Sequence, residues 1–180
     1  MVMTLIINYI PYAQANHQTF KIKPIKELVY KYVGDGAGWI DPFAGNNSPC
    51  EYTNDANKDT SAKSHLDAVI FAYQHGMSQP DIKYNGVIID PPYSKRQVSE
   101  HYRKYIGRKA TQWDTSDRFR NRVMNRICDN IKPGGYALTF GWNSYGFGKK
   151  RGFEKVEILV VGHGQGHNDT ICVVERKVWF

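Results

Sequence analysis

Two short apolar runs in this sequence each stop at Asp-Pro, and they limit the folds open to the chain more than any other feature. Trp39-Ile40 ends at Asp41-Pro42, and Gly86-Val87-Ile88-Ile89 ends at Asp90-Pro91-Pro92-Tyr93. A β-branched run with no polar alternation, bounded by Asn85-Gly86 and a proline pair, reads as a strand buried on both faces. Such strands belong to parallel sheets covered by helices. Proline has no N–H for a ladder and fixes φ, so each strand must end there in a stiff turn. Ligands in open sheets of this kind bind beyond the carboxyl ends of the strands.

The rest of the chain supplies the alternation that such a sheet needs. Met1 to Ile10 reads as an extended arm. Pro24 to Val33 reads as a helix with Ile25, Leu28, Val29 and Tyr32 at helical spacing and proline in its first turn. Gly34 to Gly38 breaks it, and Glu51 to Asn54 forms a second strand. Ser64 to His75 reads as a helix with Leu66, Val69, Ile70 and Tyr73 inward. Asp117 to Ile131 reads as another, with Val123, Ile127 and Ile131 on one face, ended by Pro133-Gly134-Gly135. Tyr136 to Phe140 is the next strand. Lys155 to Gly162 and Thr170 to Val178 close the chain as an antiparallel hairpin at one side of the sheet. The fold class expected is α/β, a mostly parallel, doubly wound sheet with a C-terminal antiparallel hairpin.

Composition narrows the partners. The 180 residues, 41% hydrophobic, suit one compact domain spanning 1–180. With 24 Lys and Arg against 17 Asp and Glu, the net charge is +7, which suits a polyanion as well as it suits plain solubility. Cys50, Cys128 and Cys172 lie far apart with no CxxC spacing, so neither a zinc site nor a disulfide framework is expected, and the thiols should be buried and reduced. Met1 to Tyr12 lacks the basic start of a signal peptide, and no run reaches the roughly 18 apolar residues of a membrane span. A cytoplasmic protein with no membrane partner is expected.

The chemistry concentrates at Asp90 to Tyr93. An exocyclic amine of a nucleic-acid base is a poor nucleophile because its lone pair is delocalised into the ring. Attack on an electrophilic methyl group needs acceptors that hold the N–H and stabilise the charge developing on nitrogen. The Asp90 carboxylate and the Pro91 carbonyl can both accept. Pro91 and Pro92 stiffen the turn so that this carbonyl stays aimed, and Tyr93 offers a flat face for a base. A plain Pro-Pro turn after a buried strand is the alternative. In this Asp-Pro-Pro-Tyr turn the sequence resembles the DNA amino-methyltransferases, in particular the adenine-N6 enzymes, and Gly162-His163-Gly164-Gln165-Gly166-His167-Asn168-Asp169-Thr170 resembles the terminal segment of small phage-type adenine methylases. The resemblance implies a Rossmann-like fold that uses S-adenosylmethionine and acts on adenine N6 in DNA, within a bacterial or phage-infected cell.

The resemblance also implies cofactor contacts. Asp41-Pro42-Phe43-Ala44-Gly45 looks like the family's Gly-containing loop under the cofactor, although Asn46-Asn47 stands where a second small residue is usual. An acidic residue after the second strand would bind the ribose hydroxyls; Asp55 is the choice, with Asn57 and Asp59 as register alternatives. Asp67 would accept from the cofactor's adenine amine, or sit at a helix start for electrostatic reasons. Phe20 and Lys23, in Phe20-Lys21-Ile22-Lys23-Pro24, match an aromatic segment that contacts the methionine part, or are a simple helix entry. Asp90, between the two halves, is counted with the cofactor contacts as well as with the catalytic turn.

A separate target-recognition domain is not expected. Two insertions would bind nucleic acid instead. Ser94 to Ser116 carries Lys95, Arg96, Arg103 and Lys104 with Tyr102, Tyr105 and Trp113; Trp142 to Gly152 carries Trp142, Tyr145, Phe147, Lys149 and Lys150. Basic side chains there would bind phosphates while aromatics stack on an extruded base. A solvated charged surface is the alternative. Specificity would then be short, or come from a partner subunit or a second copy. His163, His167 and Asp169 could be read as metal ligands, but their Gly-rich spacing suits a loop, and no metal is expected. RNA adenine-N6 transfer, DNA cytosine-N4 transfer, and a non-catalytic nucleic-acid-binding module of the same fold remain the alternatives to the main reading.

Overall fold

In a computed structural model of the chain, residues 4–112, 114 and 117–178 are described, apart from the side chains of Lys95 and Asp117. Trp113 and Ser116, and the first residues of the amino-terminal arm, lie outside the described residues.

The strands are β1 (Ile6–Ile10), β2 (Trp39–Asp41), β3 (Tyr52–Thr53), β4 (Tyr84–Ile89), β5 (Ile131–Gly141), β6 (Phe153–Val161) and β7 (Thr170–Lys177). They form a seven-stranded sheet in the order β1-β6-β7-β5-β4-β2-β3. The pairs β1–β6, β2–β3, β2–β4 and β4–β5 are parallel, and β7 is antiparallel to both β5 and β6. The other six strands therefore run the same way and end at the same edge. The chain moves outward from β2 to β3 and then crosses back to β4 on the other side of β2. That reversal makes a topological switch point at the carboxyl ends of β2 and β4, where ligands of doubly wound sheets bind. The fold is Rossmann-like, with one antiparallel strand set inside the sheet, and the two Asp-Pro turns flank its switch point.

Helices cover both faces. Helix α1 (Lys23–Val33) sets Ile25, Leu28, Val29 and Val33 against Ile88, Leu138, Phe140 and Leu159. On the other face α2 (Ala68–His75) and α4 (Asp117–Ile127) set Phe71, Ala72, Val123, Met124 and Ile127 against Val87, Ile89 and Ala137. The unbroken apolar run of β4 has this origin: alternate residues face two different helical layers, and all are buried. Gly86 must be glycine, since a Cβ there would lie 2.5 Å from the Trp39 ring on β2 and 2.6 Å from the Tyr136 carbonyl on β5.

Several expectations change in position. The extended arm becomes β1, an edge strand fastened by Glu157, which accepts from Asn8 (3.0 Å), Lys31 (2.6 Å) and the Tyr32 hydroxyl (2.6 Å). Helix α2 starts only at Ala68, because Ser64 bridges to Asn54 and Asp67 caps the helix. From that start the inward stripe is Ala68, Phe71 and Ala72, so Ile70 and Tyr73 are exposed rather than inward. Helix α4 ends at Ile127. Asn130 donates 2.8 Å bonds to the Gln79 and Ile82 carbonyls, and Ile131 opens β5 instead of closing the helix. Pro133 to Gly135 lie within β5, absorbed where pairing jumps from Tyr84–Ile131 to Gly86–Tyr136. The antiparallel strand is interior, with β6 and β1 beyond it, because β7 returns between β5 and β6. All three cysteines are buried and free. Among the described residues no helix is long and apolar enough to cross a membrane.

Candidate active site

The loop after β2 is built on buried hydrogen bonds. Asp41 has no exposed surface; its Oδ1 accepts from the Phe43 N–H (2.8 Å) and its Oδ2 from the Ser48 hydroxyl (2.7 Å). These bonds wind the loop into a tight turn over Pro42 to Gly45. Gly45 has φ +53°, the left-handed region that disfavours a side chain, and its N–H donates to Asp55 Oδ2 at 3.0 Å. The other Asp55 oxygen accepts from the Asn57 N–H at 2.8 Å. Asn54 is fully buried and ties the three segments together. Its Nδ2 donates to the Pro42 (3.1 Å) and Leu66 (3.0 Å) carbonyls, and its Oδ1 accepts from the Leu66 N–H (2.9 Å).

At the end of β4 the Tyr93 hydroxyl donates to Asp90 Oδ1, and the Thr19 side chain bonds to the same carboxyl. Burial, first of all, raises the Asp90 carboxyl from 3.8 to about 6, against the lowering effect of those two bonds. Burial raises Asp41 further, to about 7, with the Asp90 and Asp55 charges adding to the effect. Burial and the Asp90 charge hold the Tyr93 hydroxyl protonated, so it stays a donor. The Tyr93 ring meets Trp142 edge-to-face, with centroids 5.8 Å apart. The Tyr93 and Ser94 N–H groups both donate to Gln97 Oε1 at 3.0 Å, and the Ser94 hydroxyl accepts from the Gln97 N–H. This reciprocal cap starts α3 (Lys95–His101) directly after the turn.

A cavity of about 180 Å³ lies between these turns, lined by His17 to Phe20, Phe43 to Asn47, and Asp90. Phe20 packs edge-to-face on Phe140 behind it, centroids 5.4 Å apart. The structure thus brings Phe20, Phe43, Ala44, Gly45 and Asp90 to one cleft. Lys23 is not there. It opens α1 and is exposed, lining a neighbouring groove with residues 10–16.

Beyond Phe43 the groove continues to Asp55, Asp67 and Pro92, but there only about 20 Å³ is open. Asp67 caps α2, its Oδ1 accepting from the Val69 N–H at 2.8 Å. Its Oδ2 accepts from the Tyr102 hydroxyl, also at 2.8 Å. Tyr102 is buried, so it does not stand free to stack on a base. It lies in a π-helical turn, Tyr102–Ile106, that continues α3.

Among the basic residues, Arg96, Arg103 and Lys104 follow the Asp90–Tyr93 turn; Arg96 pairs with Glu100 at 2.8 Å and is otherwise open, and Arg103 and Lys104 are exposed, as is Trp142 at the carboxyl end of β5. Lys149 and Lys150 are exposed too, but they stand just before β6 opens at Phe153, where it pairs with Lys177 at the end of β7, so they lie at the opposite, amino-terminal edge of the sheet and not beside this cleft. The backbone of Lys95 is in α3 and its side chain lies outside the described residues. The loop after Trp142 is fastened by buried Glu175, which accepts from the Phe147 and Gly148 N–H groups. His163 is buried between the Ala13 carbonyl (2.7 Å) and the Thr170 hydroxyl (2.8 Å), while His167 and Asp169 are exposed. No group of three or more His, Cys, Asp or Glu positioned to hold a metal occurs among the described residues. Thr19, Asn54 and the Asp67 partnership of Tyr102 were not legible in the sequence. Each bonds to a residue brought close by the fold: Thr19 to Asp90, Asn54 to Pro42 and Leu66, and Tyr102 to Asp67.

No protein-family model matches the chain, and no curated protein sequence does. Among solved structures, one described as a methylase, HI0767 of Haemophilus influenzae, aligns with 10% identity and a TM-score of 0.47 over 87% of this chain and 88% of its own. TrmN of Thermus thermophilus aligns with 15% identity and a TM-score of 0.44 over 86% of this chain, which spans 49% of that one. At these scores the likeness is loose, and the fold class rests on the chain's own strand order.

Proposed function

We propose that the chain transfers a methyl group from S-adenosylmethionine to the N6 amine of adenine in DNA. The observation that carries this reading is the juxtaposition of the Asp90-Pro91-Pro92-Tyr93 turn with the Phe43–Asn47 loop across one cleft at the switch point of the sheet. The donor set fits the cofactor. S-adenosylmethionine supplies an electrophilic methyl group on a cationic sulfonium, and the carboxylates of Asp90, in the cleft, and Asp55 lie close enough to buried Asp41 to help raise its carboxyl. A cation placed among them relieves that repulsion. Phe20 and Phe43 to Gly45 would hold the methionine side, and Asp55 and Asp67 the ribose and adenine.

The residues of the chain then act on the target amine. Asp90 and the Pro91 carbonyl accept its N–H bonds, drawing the nitrogen lone pair out of conjugation and holding it toward the methyl carbon. The nitrogen–carbon bond forms as the carbon–sulfur bond breaks, and the surplus proton leaves through the Asp90 carboxyl. With its carboxyl raised to about 6, Asp90 is ionised at neutral pH yet a better proton acceptor than an ordinary aspartate. Tyr93 and Trp142 form the aromatic wall beside it. Arg96, Arg103 and Lys104, on the segment that follows the turn, suit a phosphate backbone beside it.

The test is methyl transfer from labelled S-adenosylmethionine to unmethylated genomic DNA, with Asp90→Ala beside the wild type and the product base identified. N6-methyladenine from the wild type alone supports the reading. Cofactor binding without transfer to DNA, but with transfer to RNA or to cytosine N4, overturns the DNA-adenine assignment and keeps the chemistry.

A further inference from the structure

The nucleoside half of the groove has acceptors but no room. About 20 Å³ is space for roughly one water molecule, and a purine is many times larger. The wall that closes it is α3 and the π-helical turn. Val98, His101, Tyr102 and Ile106 reach across to Phe43, Asp55, Asp67 and Phe119. Tyr102 is the centre of that wall. Its hydroxyl takes Asp67 Oδ2 at 2.8 Å, the oxygen that the helix cap leaves available, and its ring meets Phe119 with centroids 6.0 Å apart.

Tyr102 is itself held from outside. The Arg108 guanidinium lies 4.4 Å from the Tyr102 ring centroid and pairs with Asp114 through bonds of 2.7 and 3.1 Å. Asp114 is 4% exposed, and it also accepts from the Thr111 N–H (2.8 Å) and hydroxyl (2.7 Å). The π-helical turn ends at Gly107, φ +76°, a conformation open to glycine that lets the chain fold back toward Asp114.

We infer that Tyr102 is a gating residue of the cofactor site, its hydroxyl holding the Asp67 carboxylate until the 6-amino group of the cofactor's adenine replaces it. This inference rests on the cofactor reading of the groove. The physical basis is that a phenol O–H and an aromatic amine N–H are both donors to a carboxylate, so the two compete for one oxygen. Opening exchanges one charge-assisted hydrogen bond for another and costs little at Asp67. The binding-competent fraction of the ligand-free protein is set by how firmly Tyr102 and its Arg108–Asp114 support stay closed, and apparent affinity falls in proportion to that fraction.

The test is calorimetric titration of S-adenosylhomocysteine into wild type and Tyr102→Phe, with thermal unfolding showing that the variant is folded. Phenylalanine keeps the ring but gives Asp67 no donor, so the closed state weakens and affinity should tighten about 3- to 10-fold. A Tyr102→Phe protein that binds as the wild type does, or more weakly, overturns the gate while leaving the cofactor site in place. Absence of binding to both folded proteins overturns the cofactor reading, and the gate with it.

Discussion

One half of the groove, bounded by Thr19, Phe43 to Asn47 and Asp90, holds a cavity of about 180 Å³, whereas the other, bounded by Asp55, Asp67 and Tyr102, keeps about 20 Å³. Both halves rest on the ends of the same strands. The open half is walled by turns whose shape is set by local bonds, such as Asp41 to Phe43 and Tyr93 to Gln97. The closed half is walled by residues 98–106, which arrive from an insertion and are held by bonds such as Tyr102 to Asp67 that span long stretches of chain. Local turns preorganise a reaction centre at little entropic cost, while a wall that depends on distant partners can be displaced. On the proposed reading the open half serves the chemistry and the closed half the admission of the cofactor.

The largest expected effect separates the halves outright. Asp90→Ala should lower the methyl-transfer rate about 10²–10³-fold, while S-adenosylhomocysteine affinity, read by calorimetry, changes far less. Equal losses in both would erase the distinction. Next, Asp55→Ala frees the Gly45 and Asn57 N–H groups at the junction of the halves. It should weaken cofactor affinity about tenfold, consistent with losing charge-assisted bonds, with a smaller change in the rate at saturating cofactor.

The pH dependence comes next. If Asp90 must be ionised, the transfer rate should fall below its pKa of about 6, by about tenfold per pH unit on the acid limb, with cofactor affinity changing less over that limb. The sign for stability is opposite. A carboxyl raised in the folded state contributes stability that is fully present below its unfolded value of 3.8 and is lost as pH rises through about 6. Asp90→Asn should therefore unfold about 2–4 °C higher than wild type at pH 8, with the gap closing by pH 4; a gap that persists at pH 4 would refute the assignment. The smallest effect concerns Thr19. Thr19→Val removes a bond that favours the charged form of Asp90, so the acid limb of the rate profile should move to higher pH with little change in the plateau. A limb that stays put would leave Thr19 a lining residue only.

Much of this molecule was legible in its sequence, and what was legible has a common character. The buried strand Gly86 to Ile89, its stop at Asp90, the Asp41 turn and the Gly45 requirement all follow from contacts within a few residues, where steric and hydrogen-bonding rules act on neighbours. Helix α1 was read nearly to the residue, because a proline start and a single apolar stripe agree. Helix α2 was read with a rotated face, Leu66 and Val69 packing on the core as expected but Ile70 and Tyr73 exposed, because its true start is set by Asp67 and by the pairing of Ser64 with Asn54. Ile131 was assigned to a helix because a single apolar position fits either period.

What the sequence determined alone was the class of sheet and the two turns that carry the candidate chemistry, since backbone stereochemistry and burial pattern dictate both. Only the tertiary structure decided that Lys23 faces away from the cleft, that Thr19 and Tyr93 share the Asp90 carboxyl, and that Tyr102 closes on Asp67 instead of standing free. The reason is that a side chain's partner across a gap of 35 residues depends on how whole elements pack, and no local rule encodes that geometry.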